Sequence, residues 1–548
     1  MTSAPHTEPD LLALARAWLA EDPDDQTRQE LQTLLDTGDT AALADRFAGT
    51  LQFGTAGLRG ALGAGPNRMN RVVVLRAAAG LAAYLHDTGA RGPVVIGYDA
   101  RHNSDVFARD TAEVMTGAGF EALVMPRPLP TPVLAFAIGD LGASAGVMVT
   151  ASHNPPQDNG YKVYLGDGAQ IVPPADADIA ERIAAVGRIA AIPRGDAGTV
   201  LDNELVDRYL DTVAGLLGDG PRDLSTVYTP LHGVGGDLVM QAMQFAGFPD
   251  PTVERSQRLP DPDFPTVAFP NPEEPGAMDR AIALAAKRKA DLALANDPDA
   301  DRCAAAVPDA GRWRMLRGDE IGVLLAHHLL QKGRTGTYAA SIVSSSLLGK
   351  MAAAAGMPYV ETLTGFKWIA RVPDLVFGYE EALGYCVDPS HVRDKDGISA
   401  LLLLCELAAE RKAAGSSLTE LLDEIAVAHG VHATDQVSVR VDEVSLIEAA
   451  MRRLRAAPPT SLGGAAVIGA HDLARGEGGL PPTEALRYLL DGNARVIIRP
   501  SGTEPKLKCY LEVVEPVEAG SDGVRAARAT AARRLEALAV DVRAALGL

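Results

Sequence analysis

Cysteine is scarce in this chain of 548 residues. The four present, Cys303, Cys386, Cys405 and Cys509, lie far apart with no C-x-x-C pair. That excludes a disulfide framework and the spaced thiolates of a structural zinc site, and it predicts a reducing, cytoplasmic setting. Positive charge is short as well: 51 Lys and Arg against 71 Asp and Glu give a formal charge of -20. Such a surface cannot supply the basic footprint that a phosphate backbone or an anionic bilayer needs, so nucleic acid and membrane drop out as partners, while a local basic pocket stays open. Long apolar runs are missing too. No stretch approaches the roughly 20 residues of a membrane span, and the opening M-T-S-A-P-H-T-E-P-D lacks the basic start of a signal peptide. What is present is ordinary for globular proteins: 47% hydrophobic and 22% charged residues exclude the disordered and collagen-like classes. The length exceeds what one core organises and predicts about three or four domains.

The first fifty residues read as acidic helices, with L-L-A-L-A-R-A-W-L-A and L-Q-T-L-L carrying apolar residues at helical spacing. They look like an appendage to the first domain. From Arg71, helical stretches alternate with short apolar runs such as P-V-V-I-G-Y-D and A-G-V-M-V-T, the rhythm of βαβ units, so the class is α/β with mainly parallel sheets. Loop-like composition near 217 and 316, and a return to strand patterning near 434, divide the rest into four domains. The expected boundaries are a helical extension 1–50 and domains 51–208, 209–316, 317–432 and 433–548. The Ala/Arg-rich end reads as a helix whose arginines form a solvated face.

Four loops carry chemistry. In T-A-S-H-N-P-P-Q-D-N-G-Y-K-V-Y, 150–164, Ser152 follows an apolar strand and stands beside His153, Asn154 and Lys162, donors suited to a phosphate. A bare S-H-N would as readily be a polar turn whose Ser caps a helix. In A-N-D-P-D-A-D-R, 295–302, carboxylates at Asp297, Asp299 and Asp301 can aim three hard oxygens at one ion, with Arg302 beside them. An EF-hand loop starting at Asp297 is ruled out, because its sixth position would be Arg302 and its twelfth Pro308. The bland alternative is a solvated acidic turn. In F-G-Y-E-E-A-L-G-Y, adjacent Glu380 and Glu381 lie between glycines and can accept hydrogen bonds from vicinal hydroxyls. Downstream, His391, Arg393, Asp394, Lys395 and Asp396 offer groups for proton transfer, though an exposed salt-bridged turn would look similar. In R-V-I-I-R-P-S-G-T-E-P-K, a turn between two strands presents Arg499, Ser501, Gly502 and Thr503, which can cradle a phosphate. Alone it would be a β-hairpin corner.

Together these motifs resemble the α-D-phosphohexomutase superfamily, the phosphoglucomutases and phosphomannomutases, in order and in spacing. F-G-T-A-G-L-R-G (53–60), G-Y-D-A-R (97–101), T-P-L-H-G-V-G (229–235) and T-G-F-K-W-I (364–369) agree, so the likeness covers about residues 50 to 515. The resemblance implies three similar mixed α/β domains and a smaller α+β C-terminal domain around a central cleft. It implies that Ser152 is phosphorylated, that Asp297, Asp299 and Asp301, with the phosphoserine, bind one Mg²⁺, and that Glu380 contacts the sugar. Arg499, Ser501, Gly502 and Thr503 would hold the non-reacting phosphate. His153, Lys162 and Lys395 match positions of proton transfer or phosphate contact; Arg59 and Arg302 stand beside the phosphoserine, and Thr364, Gly365, Glu381 and His391 complete the substrate contacts.

The reaction implied moves a phosphoryl group between two hydroxyls of one sugar phosphate through a sugar bisphosphate, in a monomer or dimer. One departure concerns the sugar loop. Ala382 stands where many hexose mutases have Ser, as in the branch that holds bacterial phosphoglucomutase/phosphomannomutases and animal phosphopentomutase. Glucose 1-phosphate is the preferred substrate, mannose phosphate stays open, and a phosphopentomutase is the alternative. A non-catalytic sugar-phosphate sensor is disfavoured by the intact Ser152 and aspartates, and a phosphatase by the need to keep water from phosphoserine.

Overall fold

Short apolar runs with no polar alternation must be covered on both faces, and the first sheet shows it. The computed structural model describes residues 8–54, 57–441, 443–476, 478–501, 506–518 and 520–547. Its first sheet contains β1 (Leu58–Ala61), β2 (Val94–Tyr98), β3 (Ala122–Val124), β4 (Ala145–Val149), β5 (Asp158–Leu165) and β6 (Thr199–Val200), in the order β1-β5-β4-β2-β3-β6. β4, β2, β3 and β6 run parallel, with β5 and β1 antiparallel at one edge. All five residues of β4 are buried. The serine loop is therefore shorter than its composition suggests. Residues 158–165 fold back as β5, which sets Lys162 opposite Met148 and, through β1, Arg59 opposite Gly160. With a side-chain period of two, Lys162 and Arg59 share one face.

The second sheet repeats the plan with β7 (Thr226–Thr229), β8 (Thr252–Val253), β9 (Leu292–Ala295), β10 (Ala304–Asp309) and β11 (Arg312–Met315), in the order β11-β10-β9-β7-β8. β8, β7 and β9 are parallel, and β10 and β11 antiparallel. The three N-terminal helices, Glu8–Glu21, Asp25–Thr37 and Thr40–Phe47, are tied to the first sheet by a single apolar core: Leu11, Trp18, Leu31, Leu43 and Phe47 bury with Leu58, Val72 and Val149.

The chain forms two compact units. One runs to Leu316 and takes in Gly384–Glu410; the other comprises Arg317–Leu383 and the residues from Arg411 onward. The second unit holds parallel β12 (Thr337–Ser341), β13 (Tyr359–Thr362) and β14 (Leu375–Glu380), ordered β13-β12-β14. The short β15 (Gly384–Cys386) lies in the first unit, where Gly384 bridges Arg302. The second unit ends in an antiparallel sheet of β16 (Val431–Arg440), β17 (Ser461–Leu462), β18 (Ala465–Asp472), β19 (Leu486–Leu490), β20 (Ala494–Pro500) and β21 (Lys506–Glu515). Its order is β16-β21-β20-β19-β18-β17. The helix Ser521–Leu546 packs on it through Val524, Ala531, Leu538 and Val542. Three mixed or parallel α/β layers followed by a six-stranded antiparallel one match the expected class. No helix among the described residues is long and apolar enough to cross a membrane.

Candidate functional site

Parallel strands deliver their following loops to one side of a sheet, which is why β4 and β2 bring 150–155 beside 99–104. Thr150 Oγ1 donates to Asp99 Oδ2 at 2.6 Å, and Ser104 Oγ donates to Asp99 Oδ1 at 2.7 Å. Arg101 then spends its guanidinium on the backbone of the serine loop. It donates to the carbonyls of Ser152 (2.7 Å), Pro155 (2.8 Å) and Asp158 (3.1 Å), and to that of Asn154. This scaffold holds Ser152 at φ +52°, a conformation most side chains avoid, and leaves it 3% exposed. Ser152 Oγ donates to Asp297 Oδ2 at 2.9 Å and lies 3.1 Å from His153 Nδ1. Burial, with Arg302 and Arg59 adding to it, holds the His153 imidazole well below its ordinary value.

The aspartate loop is set by the parallel pair β7 and β9, whose ends place T-P-L-H-G-V-G behind D-P-D-A-D. A Cβ on Gly233 would stand 2.3 Å from Pro298 Cα, so only glycine lets these backbones approach. Asp297, Asp299 and Asp301 are fully buried and offer oxygens within 4.8 Å of one another. Lys162 Nζ donates to Asp299 Oδ2 (2.8 Å) and Asp301 Oδ2 (3.0 Å); Lys395 Nζ lies 3.0 Å from Asp301 Oδ2 and 3.2 Å from Asp394 Oδ1. Thr131 Oγ1 also donates to Asp299 Oδ2, at 2.6 Å. Arg302 Nε stands 3.7 Å from Asp297 Oδ2 and 3.9 Å from Asp301 Oδ1, and Arg59 donates to Asn154 Oδ1 at 3.2 Å.

The charges do not balance evenly. Burial and the neighbouring Asp299 and Asp301 push the Asp297 carboxyl well above the usual range. For Asp301 burial acts the same way, but Lys162, Lys395 and Arg302 outweigh it and hold the carboxyl below that range. The lysines occupy Oδ2 of Asp299 and Asp301, and Oδ1 of each is buried with no hydrogen-bond partner among the described residues. A buried acceptor left so costs about 1–3 kcal/mol, more when charged. Three clustered carboxylates, two of them with an orphaned oxygen, fit a small divalent cation.

Lys395 and Asp394 reach this loop because 384–410 belongs to the same unit. Tyr164 Oη donates to Asp394 Oδ2 at 2.6 Å and Tyr209 Oη to Asp396 Oδ1 at 2.9 Å, and a Cβ on Gly397 would stand 2.2 Å from Arg302 O. His391 is exposed, with Nδ1 2.6 Å from Asp388 Oδ2.

In the second unit, β12, β13 and β14 bring their C-terminal ends together. Gly365 N, beside Thr364, donates to Glu380 Oε1 at 2.7 Å. Glu381 is engaged by the loop after β12: Ser341 Oγ and Ser344 Oγ donate to its Oε2 at 3.1 and 3.2 Å, and its own N–H donates to Ser344 Oγ at 3.1 Å. Of the paired glutamates, only Glu380 is thus free of that serine clamp. Tyr510 lies within electrostatic reach of Glu381, Arg499 and Glu380. Ser501 N donates to Lys506 O at 2.7 Å, closing the hairpin. Gly502 and Thr503 lie outside the described residues.

Sequence reading missed Thr131 and the clamp made by Asp99 and Arg101. G-Y-D-A-R at a strand end was the signal for the latter; nothing in L-P-T-P marks Thr131.

Family comparisons cover nearly all of this architecture. Residues 50–188, 207–311 and 317–427 match the phosphoglucomutase/phosphomannomutase alpha/beta/alpha domains I, II and III, and 437–529 match that family's C-terminal domain. The chain belongs to the phosphoglucomutase/phosphomannomutase family. It is therefore a phosphomutase, an isomerase of the intramolecular phosphotransferase kind. It is 49% identical over 452 residues to a Haemophilus influenzae protein named probable phosphomannomutase, covering 81% of this chain and 93% of that one. A Schizosaccharomyces pombe protein named probable phosphoribomutase is 37% identical over 556 residues, 92% and 94% of the two chains. A phosphoglucomutase/phosphomannomutase family protein of Burkholderia thailandensis has the same fold, with TM-score 0.69 at 19% identity, over 91% of this chain and 98% of that one.

Proposed function

We propose that the protein interconverts hexose 1-phosphate and hexose 6-phosphate, with glucose preferred and mannose left open, through phospho-Ser152 and a bisphosphorylated sugar. The observation that carries this reading is the 2.9 Å hydrogen bond from Ser152 Oγ to Asp297 Oδ2, which sets a hydroxyl against a buried cation-binding cluster flanked by Lys162, Lys395, Arg302 and Arg59. Phosphoryl transfer asks the protein mainly for positioning and charge compensation.

In the first half-reaction the bond between phosphorus and Ser152 Oγ breaks, and a bond forms to the free hydroxyl oxygen of the bound sugar phosphate. The hydroxyl proton passes to His153, which burial keeps uncharged, while Lys162 and Lys395, paired with the aspartates, stay protonated beside the transferred phosphate. In the second half-reaction, after the bisphosphate has turned end over end, the bond between its original phosphorus and the sugar oxygen breaks, a bond forms to Ser152 Oγ, and the base gives its proton to the freed sugar oxygen. Asp297, Asp299 and Asp301 would hold one Mg²⁺, which supplies charge compensation for the transferred group when bound. The two lysines and two arginines supply the rest, while the Asp99 and Arg101 clamp keeps Oγ in place. Glu380 binds sugar hydroxyls with the backbone of Thr364 and Gly365, and Arg499, Ser501, Gly502 and Thr503 take the non-reacting phosphate.

A pentose substrate is the second reading, favoured by Ala382 and by relatives named phosphoribomutase and phosphopentomutase. Turnover of glucose 1-phosphate, mannose 1-phosphate and ribose 1-phosphate separates the two, together with intact mass after incubation with glucose 1,6-bisphosphate. Glucose as best substrate with phosphate on Ser152 is expected; a large preference for ribose installs the second reading, and no phosphate on Ser152 removes the carrier mechanism.

A further inference from the structure

The groups that would recognise the sugar and the far phosphate stand on different sheets of the second unit, Glu380 at the end of β14 and Arg499 at the end of β20. Something has to set the distance between them. Arg495 lies one residue into β20 and four before Arg499, and its side chain is only 11% exposed. It does not point to solvent for a surface ion pair. Nε donates to Glu512 Oε2 at 2.6 Å, its cross-strand neighbour on β21. Nη1 donates to Ile342 O at 3.1 Å and Glu361 Oε1 at 3.3 Å, and Nη2 donates to Ser344 O. One planar fork therefore grips two backbone carbonyls of the loop after β12.

That loop is the same one that engages Glu381 through Ser341 and Ser344. Glu512 reinforces the grip from the other side, accepting from Ser345 Oγ and Ser346 N, each at 2.8 Å. An apolar seam of Ile342, Val343 and Leu363 with Ile497 and Tyr510 backs the joint. A continuous chain of contacts thus runs from β20 through Arg495, Ser344 and Glu381 to Glu380.

We infer that Arg495 is a positioning residue that fixes the spacing between the sugar clamp at Glu380 and the phosphate turn at Arg499, and so selects the length of sugar phosphate accepted. This rests on the roles given to Glu380 and Arg499 above. A hexose 6-phosphate and a pentose 5-phosphate place their phosphates at different distances from the ring hydroxyls, so a rigid spacing discriminates between them and a loose one does not. Lysine cannot replace the fork, because it cannot satisfy two carbonyls and two carboxylates at fixed angles.

The test compares glucose 1-phosphate with ribose 1-phosphate in the wild type, Arg495→Lys and Ser344→Ala, the last removing one hydroxyl between Arg495 and Glu381 while leaving the fork in place. Both variants should change the ratio of kcat/KM values for the two sugars by about fivefold or more toward parity, with KM for the preferred sugar rising about tenfold. Equal losses on both sugars in both variants, or an unchanged ratio, would overturn the inference and leave Arg495 a structural residue. If the wild type turns over none of glucose 1-phosphate, mannose 1-phosphate and ribose 1-phosphate, the proposed function itself is overturned, and the inference goes with it.

Discussion

Ser152 Oγ and Asp297 Oδ2 lie 2.9 Å apart, and the serine is the donor. An oxygen that carries a phosphoryl group cannot also donate this hydrogen bond, so phosphorylation must separate the pair or place a cation between them. The Asp297 carboxyl, pushed upward by burial and by Asp299 and Asp301, has the more to gain from that cation. Replacing Ser152 by Ala should lower turnover by roughly a thousandfold or more while costing no more than about 1–3 kcal/mol of stability, since it leaves Asp297 Oδ2 without its donor. Steady-state rates and intact mass after exposure to glucose 1,6-bisphosphate check both halves.

Asp299→Asn turns the Oδ2 that accepts from Lys162 and Thr131 into an amide donor, and the cluster loses one charge and one carboxylate oxygen. Asp299→Asn should therefore raise the Mg²⁺ concentration needed for half-maximal rate at least tenfold. The same loss should show without substrate. Mg²⁺ at a hundred times its dissociation constant stabilises the wild type by about 2.7 kcal/mol, and that gain should shrink in the variant. Thermal unfolding with and without chelator measures it, and equal metal-induced shifts in both proteins would refute the ligand assignment.

Lys162 bridges Asp299 and Asp301 inside the protein, so Lys162→Met leaves two buried carboxylates one cation short. Removing one partner of such a cluster costs about 3–5 kcal/mol. Urea unfolding should show that loss in metal-free protein, with part of it recovered when Mg²⁺ is added.

Gly397 tests how tightly the 384–410 segment is seated. A methyl group there would meet Arg302 O at 2.2 Å and Asn296 Nδ2 at 2.7 Å. Gly397→Ala should cost about 1–3 kcal/mol of stability and, by shifting Lys395 from Asp301, lower the rate as well.

Glu512 makes a prediction about acid. Burial raises its carboxyl, but Arg495 and His432 outweigh this and hold it at about 2, against an ordinary 4.5. Its contribution is present above the unfolded value and is lost as pH falls through the window from 4.5 towards 2. The difference corresponds to about 3 kcal/mol. Denaturant midpoints taken from about pH 6 down to about pH 3 should fall less steeply in Glu512→Gln than in the wild type.

The α/β class and the acidic loop were legible because both rest on local pattern: apolar runs such as A-G-V-M-V announce buried strands, and three alternating aspartates can hardly serve a core without a counter-charge. The folding back of β5 was not legible, since D-N-G-Y-K-V-Y reads equally as loop or strand until its partner β4 is known. The same holds for Thr131, which reaches Asp299 across 168 positions of sequence. The division of labour between Glu380 and Glu381 depends on Ser341 and Ser344, forty and thirty-seven residues upstream. Spacing on one loop carries no trace of such distant partners.

The attachment of Gly384–Glu410 to the first unit has a consequence for dissecting the protein. A fragment ending at Leu316 contains Ser152 and all three aspartates, yet it lacks Lys395, Asp394 and the Asp396 carboxylate that receives Tyr209. Asp301 would keep Lys162 and lose its second lysine. The aspartate cluster with its lysines is therefore not a detachable module: its completion waits until the ribosome has passed Lys395, nearly a hundred residues after Asp301.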